Sequence, residues 1–386
     1  MHASKKAPTL ATLAVLAMAV VLVSCAEQQQ VTTTMKHAST SSTSLASSST
    51  TTTLATTTTT IESQEPILLH FATGFAQTDA GGRIAERFCD YVEDETAGVV
   101  TFRISFDDPG VRAGTGLELV GSGAVDLVSL DQTQYAEQLP LLNFPASVAL
   151  DAVSVVDYSR YLVFENADTS RLIEAEAASQ NIRYLAVASG GPNLFVAKNP
   201  FAGLSELVGK RFGAGGLAAA YEAMGLTVEP IMAEDLVPRL ADGGIDATRM
   251  SLSMVMRAKA YEVAEGVLRD GTYDTGGIVT INLDTWANLT SETQQIFKSA
   301  AADSESFSVE LSETGSQADV KMLADAGVTV GILSVEEQAL WWSNLFGAYA
   351  ADCLARAEKL GIIDDMIAVV KAAAEFTRTE WEPPAD

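Results

Sequence analysis

Three histidines and three cysteines are all that this 386-residue chain offers of the side chains that most often do covalent or metal chemistry. His2, His37 and His70 lie far apart, and only His70 falls in a stretch with the composition of a folded body. A Ser-His-Asp triad needs a histidine held between two partners, and a histidine zinc site needs several ligands, so both are disfavoured. Neither G-x-S-x-G nor H-E-x-x-H occurs. "GAGGLAAA" (213–220) is Gly-rich but lacks the G-K-[ST] of a phosphate loop, and it reads as a tight turn into a helix. Glu234 and Asp235 sit where a helix start favours acids. A glycosidase working on carboxylates alone stays open, as does a surface adhesin or scaffold. The expectation is a chain with no catalytic residue, no cofactor and no metal. What remains are hydrogen-bonding groups beside the ends of apolar runs: Thr73, Gln77, Gln132, Tyr135, Asn193 and Tyr273. Such groups suit holding a polar solute.

The elements that must position them follow from periodicity. "ILLHFATG" (67–74) reads as a buried strand, and Asp79 as the cap of a helix whose Ile84, Phe88, Tyr91 and Val92 recur at helical spacing. "VVTFRISF" (99–106) is a second strand, and "GTGLELVGSGAVDLVSL" a short helix running into a strand from Val125 to Leu130. The pattern restarts at "IRYLAVAS" (182–189), "LFVAKNP" (194–200), "GKRFGAGG" (209–216), "LTVEPI" (226–231) and "GIVTINLDTW" (277–286). Strands alternating with helices predict an α/β body, long enough for two lobes. Ser291 with Gln294 reads as a capping box opening one long helix to Ala326, and Ser334 caps another. Trp286, Trp341 and Trp342 read as packing residues rather than ligand platforms.

In this order the segments resemble the DctP-like substrate-binding proteins of TRAP (tripartite ATP-independent periplasmic) transporters. The resemblance is carried by "AERFCDYVEDETAGVVTFRISF", by "LELVGSGAVDLVSL" with Gly123 and Asp126, and by "LPLLNFP" (139–145). "FAGLSELVGKRFG", "MAEDLVPRLADGGIDATRM" with Gly243 and Asp246, and "TINLDTWANLTSETQQIFKSAA" complete it. Each motif is loose; their order over nearly the whole folded body carries the inference. The resemblance implies a two-lobe periplasmic-binding-protein-like fold with a hinge and a long lobe-spanning helix. Lobe 1 is then expected over 65–190 and 276–306, and lobe 2 over 191–275 and 307–386. It also implies capture of a small polar organic solute, an organic acid first, and delivery to the permease subunits of a TRAP-type transporter. The arginine that usually grips a carboxylate in this family falls on Gly213, and a second cleft arginine falls near Pro192 and Asn193. Arg249, where the family usually has a Glu, is the replacement candidate. Without it a neutral or basic solute is as well suited.

The N-terminus addresses location. Lys5 and Lys6 precede an apolar run, Leu10 to Val23, too short to span a bilayer and shaped like a signal peptide. Leu22-Val23-Ser24-Cys25, closing the leader segment 1–25, resembles the lipobox of bacterial lipoproteins, which makes Cys25 the expected lipidation site and new N-terminus after cleavage before it. Residues 26–64 are Ser/Thr-rich, without a periodic apolar face, and read as a disordered tether reaching roughly 35 Å. The expected location is extracytoplasmic, lipid-anchored to the cell membrane. Lys+Arg is 24 against Asp+Glu 50, a net charge of −26, which argues against nucleic acid as a partner. Cys89 and Cys353 are expected as buried thiols, with a disulfide as the alternative.

Overall fold

The computed structural model describes residues 65–144, 151–215, 217–232 and 235–383. The expected leader with Cys25, the tether and Glu234 lie outside the described residues.

Two similar halves meet in one nine-stranded mixed sheet. In the first, β1 (Ile67–Thr73) pairs in parallel with β2 (Val100–Ser105) and with β3 (Leu127–Leu130). The helix Ala80–Glu95 returns between β1 and β2 and buries Ile84, Phe88 and Val92. Phe88 meets Phe71 and Phe297 edge-on, with ring centroids 6.3 and 5.7 Å apart. Burying each such ring contributes roughly 1.5–3 kcal/mol. The second half repeats the plan: β4 is Ile182–Ala197, and β5 (Arg211–Ala214) pairs in parallel with β6 (Thr227–Pro230) and β7 (Ala247–Ser251). The repetition extends to one turn. Gly123 and Gly243 both take positive φ at the end of a short helix, and the residues three further on, Asp126 and Asp246, latch the neighbouring strand. The Asp126 carboxylate accepts from the His70 N–H at 2.8 Å, and the Asp246 carboxylate from the Arg211 N–H at 3.0 Å. The two Gly/Asp motifs are therefore strand-locking turns.

β4 and β8 (Gly266–Asn282) join the halves. They run antiparallel, 16 and 17 residues long, and each serves both sides. β8 pairs with β3 through Ile278–Ile281 and with β9 (Thr329–Ile332) through Gly266–Arg269, while β4 pairs with β7 through Asn193–Ala197. The sequence pattern predicts strands at 182–189 and 194–200 separated by Gly190-Gly191-Pro192. The strand instead continues through them with register shifts between Tyr184 and Leu194. These irregular crossing strands and the long helix join the two halves of the α/β fold.

The helix Ser291–Asp325, about 50 Å at 1.5 Å per residue, lies along β4. Its cap is Thr290 rather than Ser291: the Thr290 hydroxyl accepts from the Thr293 N–H, and the Gln294 amide donates to the Trp286 carbonyl. Ser304, Ser308, Ser312 and Ser316 form a buried stripe at a spacing of four. Ser308 Oγ accepts from Ser189 N at 3.0 Å, and Ser312 Oγ donates to Ser189 O at 3.1 Å, so the stripe grips the crossing strand by its backbone. Glu305, three residues before Ser308, accepts from Val187 N and pairs with Arg160. The helix Val335–Leu360 is capped by Ser334 as expected, and Glu337 completes a capping box with it. The last helix, Ile363–Thr377, packs back on the helices Ala152–Arg160 and Ala167–Ser179, elements expected in the first lobe, although its own residues were assigned to the second. Cys89 and Cys353 are buried free thiols in separate core clusters, and burial pushes both up, Cys353 to about 12. Among the described residues no helix is long and apolar enough to cross a membrane.

Candidate functional site

A cleft of about 720 Å³ opens where the carboxyl ends of β1, β3 and β7 face the crossing strands. Loops and helix starts at such strand ends are where open α/β sheets receive ligands. The segment after β1 contributes Phe75, Thr78, Asp79, Gly81 and Ile84, and the turn after β3 contributes Asp131 and Thr133. Ser253, Met256 and Arg257 come from the short helix after β7, Asp319 from the long helix and Tyr349 from the helix Val335–Leu360. The rest of the wall is the middle of the crossing strands, Ser189 and Gly190 on β4 with Asp274 to Gly277 on β8. Here the backbones approach too closely for side chains. A Cβ on Gly190 would lie 2.8 Å from the Thr275 carbonyl oxygen, and one on Gly276 would lie 2.7 Å from that of Ser189.

The residues singled out from the sequence stand mostly behind this wall. Gln132 is 4 % exposed; its Nε2 donates to Thr275 Oγ1 at 3.1 Å, and its Oε1 has no partner. Asn193 Nδ2 donates to Asp274 Oδ1 at 2.8 Å and to Thr272 Oγ1 at 3.2 Å. Gln132 and Asn193 thus position cleft residues from one hydrogen bond away. The others are engaged elsewhere. Thr73 is fully buried and accepts from Phe75 N, which shapes the turn after β1. Gln77 is exposed and donates to Glu86 at 2.8 Å. The buried Tyr135 hydroxyl accepts from the backbone of Leu117 and Gly116, and burial pushes it up. Tyr273 Oη accepts from Arg269 at 3.1 Å. Trp286, Trp341 and Trp342 are core residues, as their apolar neighbours suggested.

Arg249 has a different occupation from the one its register suggested. Its side chain is 11 % exposed and its Nε donates to Asp270 Oδ2 at 2.6 Å; Asp270 is fully buried. Arg249 Nη2 donates to Thr272 Oγ1 at 2.7 Å, and the guanidinium lies over the Trp341 ring, 5.5 Å from its centroid. Burial alone would lower its pKa, but Asp270, Tyr221 and Asp274 hold the guanidinium charged. Gly213, where the resemblance misses an arginine, also faces away from any solute. A side chain there would meet Ile245 at 2.7 Å and Leu236 at 3.1 Å in a buried apolar pack.

The cleft itself is acidic, with Asp79, Asp131, Asp274 and Asp319 on its wall against one arginine, Arg257. Burial raises the pKa of Asp274 against the pull of Arg249 and the Asn193 hydrogen bond, and burial also raises that of Asp319. Sequence reasoning missed Ser189, Asp274 and Asp131; the hydrophobic pattern gave no sign that β4 and β8 cross at the ligand cleft. His70, bonded to Ser105 and Arg103, lies on the outer part of the sheet beside β2 and takes no part.

The sequence matches the family model for bacterial extracellular solute-binding protein, family 7 (DctP), over residues 71–351. The fold is also that of solved TRAP periplasmic solute-binding proteins. One from Rhodobacter sphaeroides, an apo open structure, is 19 % identical with a TM-score of 0.67, over 81 % of this chain and 98 % of that one. Another, from Sulfitobacter sp. NAS-14.1 with bound β-D-galacturonate, is 16 % identical with a TM-score of 0.62, over 80 % and 99 %. A third, from Desulfovibrio desulfuricans with bound sn-glycerol-3-phosphate, is 15 % identical with a TM-score of 0.65, over 82 % and 99 %. No curated protein matches the chain. These proteins bind solutes rather than transform them, which sets the carboxylate-only glycosidase aside.

Proposed function

Because the chain belongs to the DctP family, bacterial extracellular solute-binding protein family 7, we propose that it closes its cleft on one small polar organic solute and hands it to a TRAP-type secondary transporter. The observation that carries this reading is the 720 Å³ cleft, walled by the crossing strands that join the two halves of the sheet. A solute touching both walls favours the closed arrangement by its extra contacts, which is hinge closure in its simplest form. We place the hinge at Tyr184–Leu194 and the facing stretch of β8, where pairing slips register. The last helix, packed on first-lobe elements, makes the boundary less simple than two blocks of sequence. Among the described residues the organic acid first expected finds only Arg257 as a cation on the wall, so the geometry supports a polar solute without favouring an acid.

The family fixes the extracytoplasmic location. Anchoring through a lipid on Cys25, with residues 26–64 as the tether, is our reading of the sequence before the folded body. Each buried methylene contributes roughly 0.8 kcal/mol, so two or more acyl chains hold a protein on a membrane almost permanently. Small-angle scattering with and without an identified solute tests the receptor. The radius of gyration should contract on binding, and a saturated protein with unchanged scattering would rule out hinged capture.

A further inference from the structure

We infer that the solute carries a cationic nitrogen, an ammonium, amidinium or guanidinium group, received against Asp274 at the crossing of β4 and β8. This rests on the reading of the cleft as the solute site and specifies what enters it. Two independent features of the wall agree. The first is charge: among the described residues of the wall, four carboxylates stand against the single exposed Arg257. Arg249 pulls on Asp274 from behind the wall, but its ion pair and Nε hydrogen bond are with the buried Asp270, so three further carboxylates still face Arg257 alone among the described wall residues.

The second feature is the kind of hydrogen bond left unmade. Ser189 is 2 % exposed and forms part of the wall, and its Oγ has no partner; its backbone N–H and carbonyl are already taken by Ser308 and Ser312. Gln132 Oε1 is likewise buried without a partner, on a side chain bonded to the wall residue Thr275. Asp274 receives Asn193 on Oδ1 only. A buried polar atom without a partner is uncommon and calls for a reason. Ser189 on the wall can accept, Gln132 just behind it leaves an acceptor open, and Asp274 brings a second carboxylate oxygen, so what this face asks of a solute is donors. Ammonium and guanidinium groups are donors only, and carry the opposite charge. Phe75 presents an aromatic ring to the same cleft, which also attracts cations. Arg257 leaves a place for an anionic end, so a zwitterion satisfies the wall as well as a simple amine does.

The test is a thermal scan of the purified full chain against a panel divided among amines and amidines, zwitterionic amino compounds, carboxylates, polyols, and Ca²⁺ or Mg²⁺ alone. Stabilisation should be confined to the first two classes. Calorimetry on the strongest of these should then show at least tenfold weaker binding to Asp274→Asn. Asp131→Asn, at an exposed position, keeps the test alive if the first variant does not fold, and should weaken the same solute severalfold. Stabilisation by carboxylates, polyols or the divalent ions alone would overturn the charge inference while leaving a receptor in place. Affinity within twofold of the parent in both variants would overturn it too. Silence from every class would remove the receptor reading and this inference together.

Discussion

Asp270→Asn is the substitution that most sharply separates the two roles open to Arg249. The carboxylate of Asp270 is fully buried and takes four donors: Arg249 Nε at 2.6 Å and Trp341 Nε1 at 3.1 Å on Oδ2, and the Thr272 N–H at 2.7 Å and hydroxyl at 2.8 Å on Oδ1. Asparagine has nearly the same shape, but turns one of these acceptors into an amide donor facing donors and leaves the guanidinium without its counter-ion. Breaking a buried pair in this way costs about 3–5 kcal/mol. Unfolding entropy near 2.1 cal/mol/K per residue, over roughly 320 folded residues, means about 1.5 °C per kcal/mol, so Tm should fall by about 5–7 °C. Differential scanning calorimetry reads this directly. Arg249→Met and the double variant complete a cycle in which the double should lose less than the two singles summed. An Asp270→Asn protein melting within a degree of the parent would refute the reasoning, and would return Arg249 to the pool of cations available to a solute.

Three further expectations follow from the same geometry and from the N-terminus. Gly276→Ala puts a methyl group 2.7 Å from the Ser189 carbonyl, so the crossing strands must separate; a loss of about 1–3 kcal/mol should appear as a lower urea midpoint, and an unchanged midpoint would mean the strands yield freely. Burial lifts Glu176 to about 7 although the Leu141 and Leu142 N–H groups stabilise its anion. The folded state therefore binds this proton more tightly than the unfolded chain, and stability should fall as pH rises from about 4.5 to about 7, by on the order of 2–4 kcal/mol. Glu176→Gln should flatten that part of the stability profile; an unaltered slope would show that the carboxyl titrates normally. Cys25→Ser should move the protein from the membrane pellet to the soluble fraction, and a variant still in the pellet would contradict the lipid anchor.

Where the sequence spoke clearly, local chemistry was enough. Ser334 and Glu337 sit three apart and cap each other, and Ile84, Phe88 and Val92 share a helix face that the core covers. The Gly/Asp turns could be found but not interpreted, because Asp126 acts on His70 and Asp246 on Arg211, partners 56 and 35 residues away. The crossing was hidden for a related reason. Gly190, Gly191 and Pro192 are strand breakers by local preference, yet pairing with β8 keeps them in one strand, and the close backbone approach at Gly190 is what a glycine permits. The buried serine stripe ran against the rule that polar residues face water, since two of its hydroxyls, those of Ser308 and Ser312, bond a strand more than a hundred residues distant. Arg249 illustrates the same limit at the cleft. Family register can place a guanidinium beside a strand end, but whether it faces a solute depends on a carboxylate 21 residues further along. Once Asp270 has taken that charge, the wall of Ser189 and Asp274, backed by Gln132, is what a solute meets, and its chemistry rather than the family's habit should decide what binds.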